Sequence, residues 1–258
     1  MPANSSPAQP KTLIEVKNFS LSYGEKSILK DVNFIVKEKE CLTILGESGA
    51  GKTTLLRSII GLRKPTQGEV IIEGENILNL SEQELIPIRK KVAFAFQNGA
   101  LFDSMTVFNN LALPLREHTK LGEAAIYKRV MNELEEFELG GTENLFPGEL
   151  SGGMKKRVGI SRSMILKPKV ILYDEPTVSL DPYNTANLVK MMLKLKKRGT
   201  TAILVTHNMS VARKISDRIA LLLDGTIQAM GTTETLEKSY NVLIKNFMEG
   251  IKGGGNKK

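Results

Sequence analysis

The sequence predicts an α/β fold with a parallel-sheet core, an antiparallel β subdomain and an inserted helical subdomain. Three observations predict it. Residues 46–53 read GESGAGKT directly after the apolar run 41–45, the order of a strand feeding a phosphate-binding turn. Later apolar runs at 170–173, 202–205 and 219–223 alternate with helical patterns, as parallel strands joined by helices do. Between 99 and about 166 strand signals vanish, and Ile126, Val130, Leu134 and Phe137 repeat at helical spacing, so this stretch reads as a helical insertion.

Taken in order, 1–11 (MPANSSPAQPK) is Pro/Ser-rich and is expected to be a frayed, disordered start. Runs 13–16, 32–36 and 69–72, bounded by Gly24, Gly68 and Gly74, read as strands of an antiparallel patch. A helix is expected over 52–60. Ser81 and Glu84 have capping-box spacing and open a short helix. Residues 92–96 return to strand character before Gln97 and Asn98. One domain is expected over 12–247, followed by a flexible tail, 248–258. The 258 residues, 41% hydrophobic, suffice for one sizeable core with a smaller inserted subdomain.

The loop at 46–53 is a complete P-loop. Gly46, Gly49 and Gly51 let the backbone curl until successive N–H groups face an anion, Lys52 reaches β- and γ-phosphates, and Thr53 offers a hydroxyl to Mg²⁺. The following helix aims its positive dipole end at the same phosphates. The nucleotide-binding stretch is therefore Gly46, Glu47, Ser48, Gly49, Ala50, Gly51, Lys52, Thr53 and Thr54. Ligands of parallel sheets gather at the carboxyl ends of strands, where Asp174 and Glu175 follow one run and Thr206 and His207 another. Asp174 is placed to anchor Mg²⁺ through a water or through Thr53, and Glu175 to orient or deprotonate the attacking water. Taken alone, an acidic pair after a strand is as often a helix cap or turn.

Net charge is +8, from 36 Lys plus Arg against 28 Asp plus Glu, but the basic residues are dispersed. The groups Lys155, Lys156, Arg157 and Lys190, Lys194, Lys196, Lys197, Arg198 read as solvated faces, and without Trp there is no aromatic interleaving for nucleic acid. No apolar stretch is long enough to span a membrane, and the start lacks a signal-peptide core, so a cytosolic protein is expected. Cys41, the single cysteine, reads as a small buried hydrophobe. His118 reads as solvent-facing, and Met164, Met191 and Met192 as core filler.

YDEPTVSLDP at 173–182, together with LSGGM at 150–154 and the P-loop, resembles the ABC ATPases over about 12–247. The resemblance implies a RecA-like core in a P-loop NTPase fold, ATP and Mg²⁺ as ligands, and ATP hydrolysis by a homodimer. It also implies that Ser151, Gly152 and Gly153 cap the γ-phosphate of ATP held by the partner subunit. Gln97 matches the Q-loop glutamine that reaches the metal and lytic water, His207 the switch histidine, Asp181 the D-loop, and Tyr23 the aromatic that stacks on adenine. At Ser179 many members have glycine.

A narrower resemblance is carried by QNGALFDSMTVFNNLALPLREHTKL at 97–121, by the methionine of SGGM, and by FMEGI at 247–251. These are similar to the Mla-type lipid-transport ATPases associated with MCE-domain proteins. This implies a peripheral subunit at the cytoplasmic face of the inner membrane, working with an integral-membrane permease and an MCE-domain lipid carrier, without nucleic acid. The rivals are an ABC ATPase for another substrate, a soluble ABC protein of DNA repair or translation, and a P-loop kinase. The last is disfavoured by LSGGM and EPTVSLDP.

Overall fold

The computed structural model describes residues 10–241 and 244–245. Of the expected start only residues 10 and 11 are described, both exposed, and the FMEGI stretch and the tail lie outside the described residues. Two sheets form the body. The first is antiparallel, with β1 (Thr12–Tyr23), β2 (Lys26–Lys37), β4 (Gln67–Ile72) and β5 (Glu75–Asn76) in the order β2-β1-β4-β5. The second contains β3 (Cys41–Leu45), β6 (Val92–Ala95), β7 (Val170–Asp174), β8 (Thr201–Thr206), β9 (Arg218–Leu223) and β10 (Thr226–Gly231), in the order β10-β9-β3-β8-β7-β6. Its neighbours pair in parallel except β10, which runs antiparallel to β9.

β1 and β2 are longer than the short apolar runs suggested. Their register shifts between Val16 and Phe19, where Asn18 has φ 46°, so the apolar alternation breaks while pairing continues. β5 and β10 carried no strand signal in the sequence.

The parallel strands are largely apolar because both faces are covered. Leu42, Ile44, Leu172, Ile203 and Val205 face a core shared with the antiparallel sheet, with α1 (Lys52–Ile59) and with α2 (Glu82–Lys91). Cys41, Ile171, Tyr173 and Leu204 face the other core, shared with α3 (Val107–His118), α4 (Glu123–Glu136), α5 (Gly152–Met164), α6 (Pro182–Lys197) and α7 (Met209–Ile215). Burial pushes the Cys41 thiol up to about 12. A short α8 (Thr233–Glu237) closes against β10. The interval 99–166 holds α3, α4 and α5 and, among the described residues, no strand.

Local chemistry sets the helix starts. Ser81 accepts from Glu84 N while the Glu84 carboxylate accepts from Ser81 N at 2.8 Å, the capping box expected of α2. His118 is exposed, Met164 and Met192 are buried, and Met191 is half-buried. The basic run is exposed at Lys190, Lys194, Lys197 and Arg198, as expected of a solvated face, and half-buried at Lys196. Lys196 donates to Ile215 O and pairs with Asp217, both at 2.7 Å, while Arg198 pairs with Glu136 and Lys194 donates to Glu136 O. Lys194 and Lys196 tether α6 to its neighbours by donating to the last carbonyls of α4 and α7, which have no intrahelical partner.

Candidate functional site

β3 is fully buried between β8 and β9, so the chain leaving it emerges at the middle of the sheet rim. There Gly46 N donates to Thr206 O at 3.3 Å, and a Cβ on Gly46 would lie 2.4 Å from Leu222 O. Side chains are thus excluded at the first loop position by the backbone of β9. Gly49 (φ 85°) and Gly51 (φ 95°) occupy the left-handed region that favours glycine. Gly51 is the N-cap of α1 and gives it no side-chain cap. The N–H groups of the first turn, which have no intrahelical acceptor, are left for an anion. By contrast α2, α3, α5, α6, α7 and α8 are each capped by a side chain.

Lys52 is buried, with 5% of its side chain exposed, and its ammonium donates to Gly46 O at 2.9 Å and Glu47 O at 2.8 Å. Glu175 Oε1 lies 3.4 Å from the same nitrogen. Thr53 Oγ1 donates to Asp174 Oδ1 at 2.7 Å. Burial raises the Asp174 carboxyl above its ordinary value, opposed by the Thr53 hydrogen bond and the Arg57 charge. The hydroxyl and carboxylate form a pair of hard oxygens beside the loop, the donor type that Mg²⁺ takes. Among the described residues no group of three or more His, Cys, Asp or Glu could hold a metal.

Glu175 stands at φ 45°, with its N–H donating to Val205 O at 3.0 Å, so the turn after β7 folds its carboxylate back over the loop. Glu175 Oε1 is 3.1 Å from His207 Nδ1, and His207 N donates to Oε2 at 3.4 Å. The His207 ring remains 51% exposed. Lys52, Thr53, Asp174, Glu175 and His207 are therefore one contiguous set. It combines a buried cation, a hydroxyl–carboxylate pair and a second carboxylate tethered to an imidazole, which can hold a polyphosphate and orient water beside it.

The other expected residues lie elsewhere. Gln97 is exposed just past β6, and its side chain makes no hydrogen bond among the described residues. Tyr23 ends β1, 45% exposed, with the Arg63 guanidinium 5.3 Å from its ring centroid. Ser151 is exposed and caps α5, accepting from Met154 N at 3.3 Å, and Gly152 faces open space. No hydrogen bond or ion pair joins the LSGGM segment, 150–154, to 46–54 among the described residues. A Cβ on Gly153 would meet Asn184 Oδ1 at 2.5 Å, and Asn184 N is held by Asp181 Oδ1 at 2.9 Å. The signature segment and the D-loop are thus in contact within one chain. Ser179 has φ 63°, in the left-handed region that favours glycine.

Sequence reasoning missed Arg63 against Tyr23, the Arg57 charge acting on Asp174, and Lys156, whose ammonium is lowered by burial and raised by Glu175. Each is brought in from a distant or oppositely phased position, for which no local motif exists.

A family profile described as ABC transporter matches residues 29–178. The chain is 40% identical over 242 residues to the probable ribonucleotide transport ATP-binding protein mkl of Mycobacterium leprae (strain TN), covering 93% of this chain and 70% of that protein. It is 38% identical over 243 residues to the intermembrane phospholipid transport system ATP-binding protein MlaF of Escherichia coli (strain K12), covering 94% and 90%. A solved dimer of the ATP-binding cassette MJ0796, in a post-hydrolysis state with ADP and Pi, matches with TM-score 0.79 at 36% identity, over 85% of this chain and 98% of that one.

Proposed function

The chain belongs to the ABC transporter family as an ATP-binding subunit that hydrolyses ATP, and from that premise we propose that it drives phospholipid transport through a separate membrane permease. The observation that carries the lipid reading is the likeness to MlaF along almost the full length of both chains. The segment 97–121, where the narrower resemblance lies, exposes Phe102 and Leu121, one on either side of α3. No helix among the described residues is long and apolar enough to cross a membrane. The lipid step is therefore assigned to the permease, with an MCE-domain lipid carrier in the same assembly and this subunit peripheral at the cytoplasmic face of the inner membrane.

In the proposed mechanism the α1 amides and Lys52 hold the triphosphate, with Tyr23 against adenine. Thr53 and Asp174, joined at 2.7 Å, with Gln97, are the residues that would hold Mg²⁺, which when bound would supply positive charge against the phosphate oxygens. Glu175 orients the attacking water and accepts its proton, and His207, engaged through Nδ1, keeps that carboxylate aimed and leaves Nε2 for the γ-phosphate. Ser151, Gly152, Gly153 and Asp181 serve the site of the second subunit, so the active species is a homodimer.

The test is a pull-down of the tagged chain from detergent-solubilised membranes, scored by mass spectrometry. Recovery of a permease with an MCE-domain protein is the expected result. Recovery of a nucleotide permease, the reading suggested by the name of mkl, refutes the lipid assignment and leaves the ATPase standing.

A further inference from the structure

Tyr23 closes β1 at the tip of a tight hairpin. It pairs with Lys26 across Gly24 and Glu25, and Gly24 takes φ 56°. Two positions beyond Lys26 the hairpin reaches the P-loop, where Ile28 Cγ2 would stand 3.0 Å from a Cβ on Gly51. The tip therefore lies beside the phosphate-binding loop. The Tyr23 hydroxyl makes no hydrogen bond among the described residues, so its own polar end does not fix the plane of the ring. Arg63 does constrain it, with Cζ over the ring at 5.3 Å from the centroid.

Arg63 in turn starts from a fixed backbone. Gly61 N donates to Ser58 O at 3.0 Å and Leu62 N to Arg57 O at 2.9 Å, closing the end of α1. A Cβ on Gly61 would stand 2.9 Å from Leu85 Cδ1, so this turn is packed as well as hydrogen-bonded. On the other side of Arg63, Thr66 N donates to Ser20 O at 2.8 Å and Thr66 Oγ1 accepts from Ser22 N at 3.0 Å. Segment 62–66 is thus stitched both to the helix that carries the P-loop and to the strand that carries Tyr23. Among the described residues Arg63 makes no ion pair and no hydrogen bond, which leaves the Tyr23 ring as the group its charge is set against.

We propose that Arg63 is a positioning residue for the nucleobase: its guanidinium holds one face of Tyr23, so that the opposite face stands ready for adenine in a three-layer stack. This rests on the reading of Tyr23 as the adenine platform. The planar guanidinium is drawn to the negative face of the phenol and lies flat on it. A ring held before binding loses less rotamer freedom when the base arrives. Because Arg63 acts through the ring, its contribution belongs to the base and not to the triphosphate.

The experiment measures by calorimetry the dissociation constants of ATP and of inorganic tripolyphosphate, each with Mg²⁺. It compares the unaltered full chain with Arg63→Ala, Tyr23→Ala and the double variant. Arg63→Ala should weaken ATP about three- to fivefold and leave tripolyphosphate within about 1.5-fold. Tyr23→Ala should weaken ATP about tenfold, the loss of a base stack. In the Tyr23→Ala background, removing Arg63 should change ATP affinity by less than about 1.5-fold, because no ring is left to position. Unchanged ATP affinity in Arg63→Ala overturns the proposal, and a rise overturns it too, placing the guanidinium on the face that the base needs. An equal loss for tripolyphosphate assigns Arg63 to the phosphates or to folding, and a loss that persists without Tyr23 assigns it a contact of its own; either result refutes the positioning role. If Tyr23→Ala leaves ATP affinity unchanged, the adenine platform is refuted and the positioning role falls with it. A loss in Tyr23→Ala without one in Arg63→Ala refutes the positioning role alone.

Discussion

Replacing Glu175 with Gln separates binding from turnover. The carboxylate stands 3.4 Å from Lys52 Nζ and 3.1 Å from His207 Nδ1, with 11% of its side chain exposed. At an effective dielectric constant of about 20, a pair at 3.4 Å attracts by about 5 kcal/mol before desolvation. Most of this is offset by the cost of burying both charges, leaving about 1–2 kcal/mol of fold stability at stake. Gln retains a carbonyl acceptor for Lys52, which also keeps its bonds to Gly46 O and Glu47 O, so the phosphate-binding loop persists. The amide cannot accept a proton from water, and loss of a general base lowers turnover by about 10²- to 10⁴-fold. ATPase assays should show that loss with nucleotide affinity within about threefold of the unaltered chain. Light scattering should show the stalled variant passing from monomer to dimer on addition of ATP. Lys52→Ala is the contrasting control, with ATP binding weakened about 10- to 100-fold because a charge-assisted contact is lost. Turnover by Glu175→Gln within tenfold of the unaltered chain would refute the assigned role.

Asp174→Asn should leave the melting temperature at neutral pH equal or higher, because burial raises this carboxyl and the charged form is disfavoured in the fold. A raised acid regains stability as pH falls through its folded value, so the melting curves should converge on acidification while Mg²⁺-dependent ATPase is lost throughout. Marked destabilisation at pH 7 would contradict this. Glu73, lowered to about 2 by hydrogen bonds from Lys169 and Lys91, works in the opposite sense. Glu73→Gln should lose about 1 kcal/mol at pH 7, discounted because its lysine partners are largely exposed, with the difference vanishing as pH falls through about 2. Urea titrations across that range check it. Ser179→Gly should raise stability by about 0.5–1 kcal/mol, since relief of the left-handed strain exceeds the added freedom of glycine in the unfolded chain. Calorimetry showing a lower melting temperature would count against it.

The loop, the carboxylates beside it and the buried parallel strands were legible because local chemistry dictates them. GESGAGKT must follow a buried strand, and both-face burial makes 170–173 and 202–205 continuously apolar. β10 was missed because TIQAMG is at most half-buried along its length and carries no alternation, although Asp224 and Gly225, both at positive φ, formed a readable hairpin turn. The ion pairs of Lys196 and Arg198 were not legible because their partners, Asp217 and Glu136, are remote in sequence. Arg63 was invisible for the same reason. Its ring partner, Tyr23, lies on another element, and neither residue type signals the other.

The burial of Cys41 makes the chain a ready-made background for site-specific chemistry. Its thiol is inaccessible between the sheet and the helices, and burial pushes it up to about 12, away from the reactive thiolate form. A second cysteine placed on an exposed position such as Ser151 or Phe102 would be alkylated by maleimide reagents while the native one stays silent. Fluorophore or spin-label pairs can then report distances across a dimer without removing a core side chain and opening a cavity in the strand that carries the P-loop.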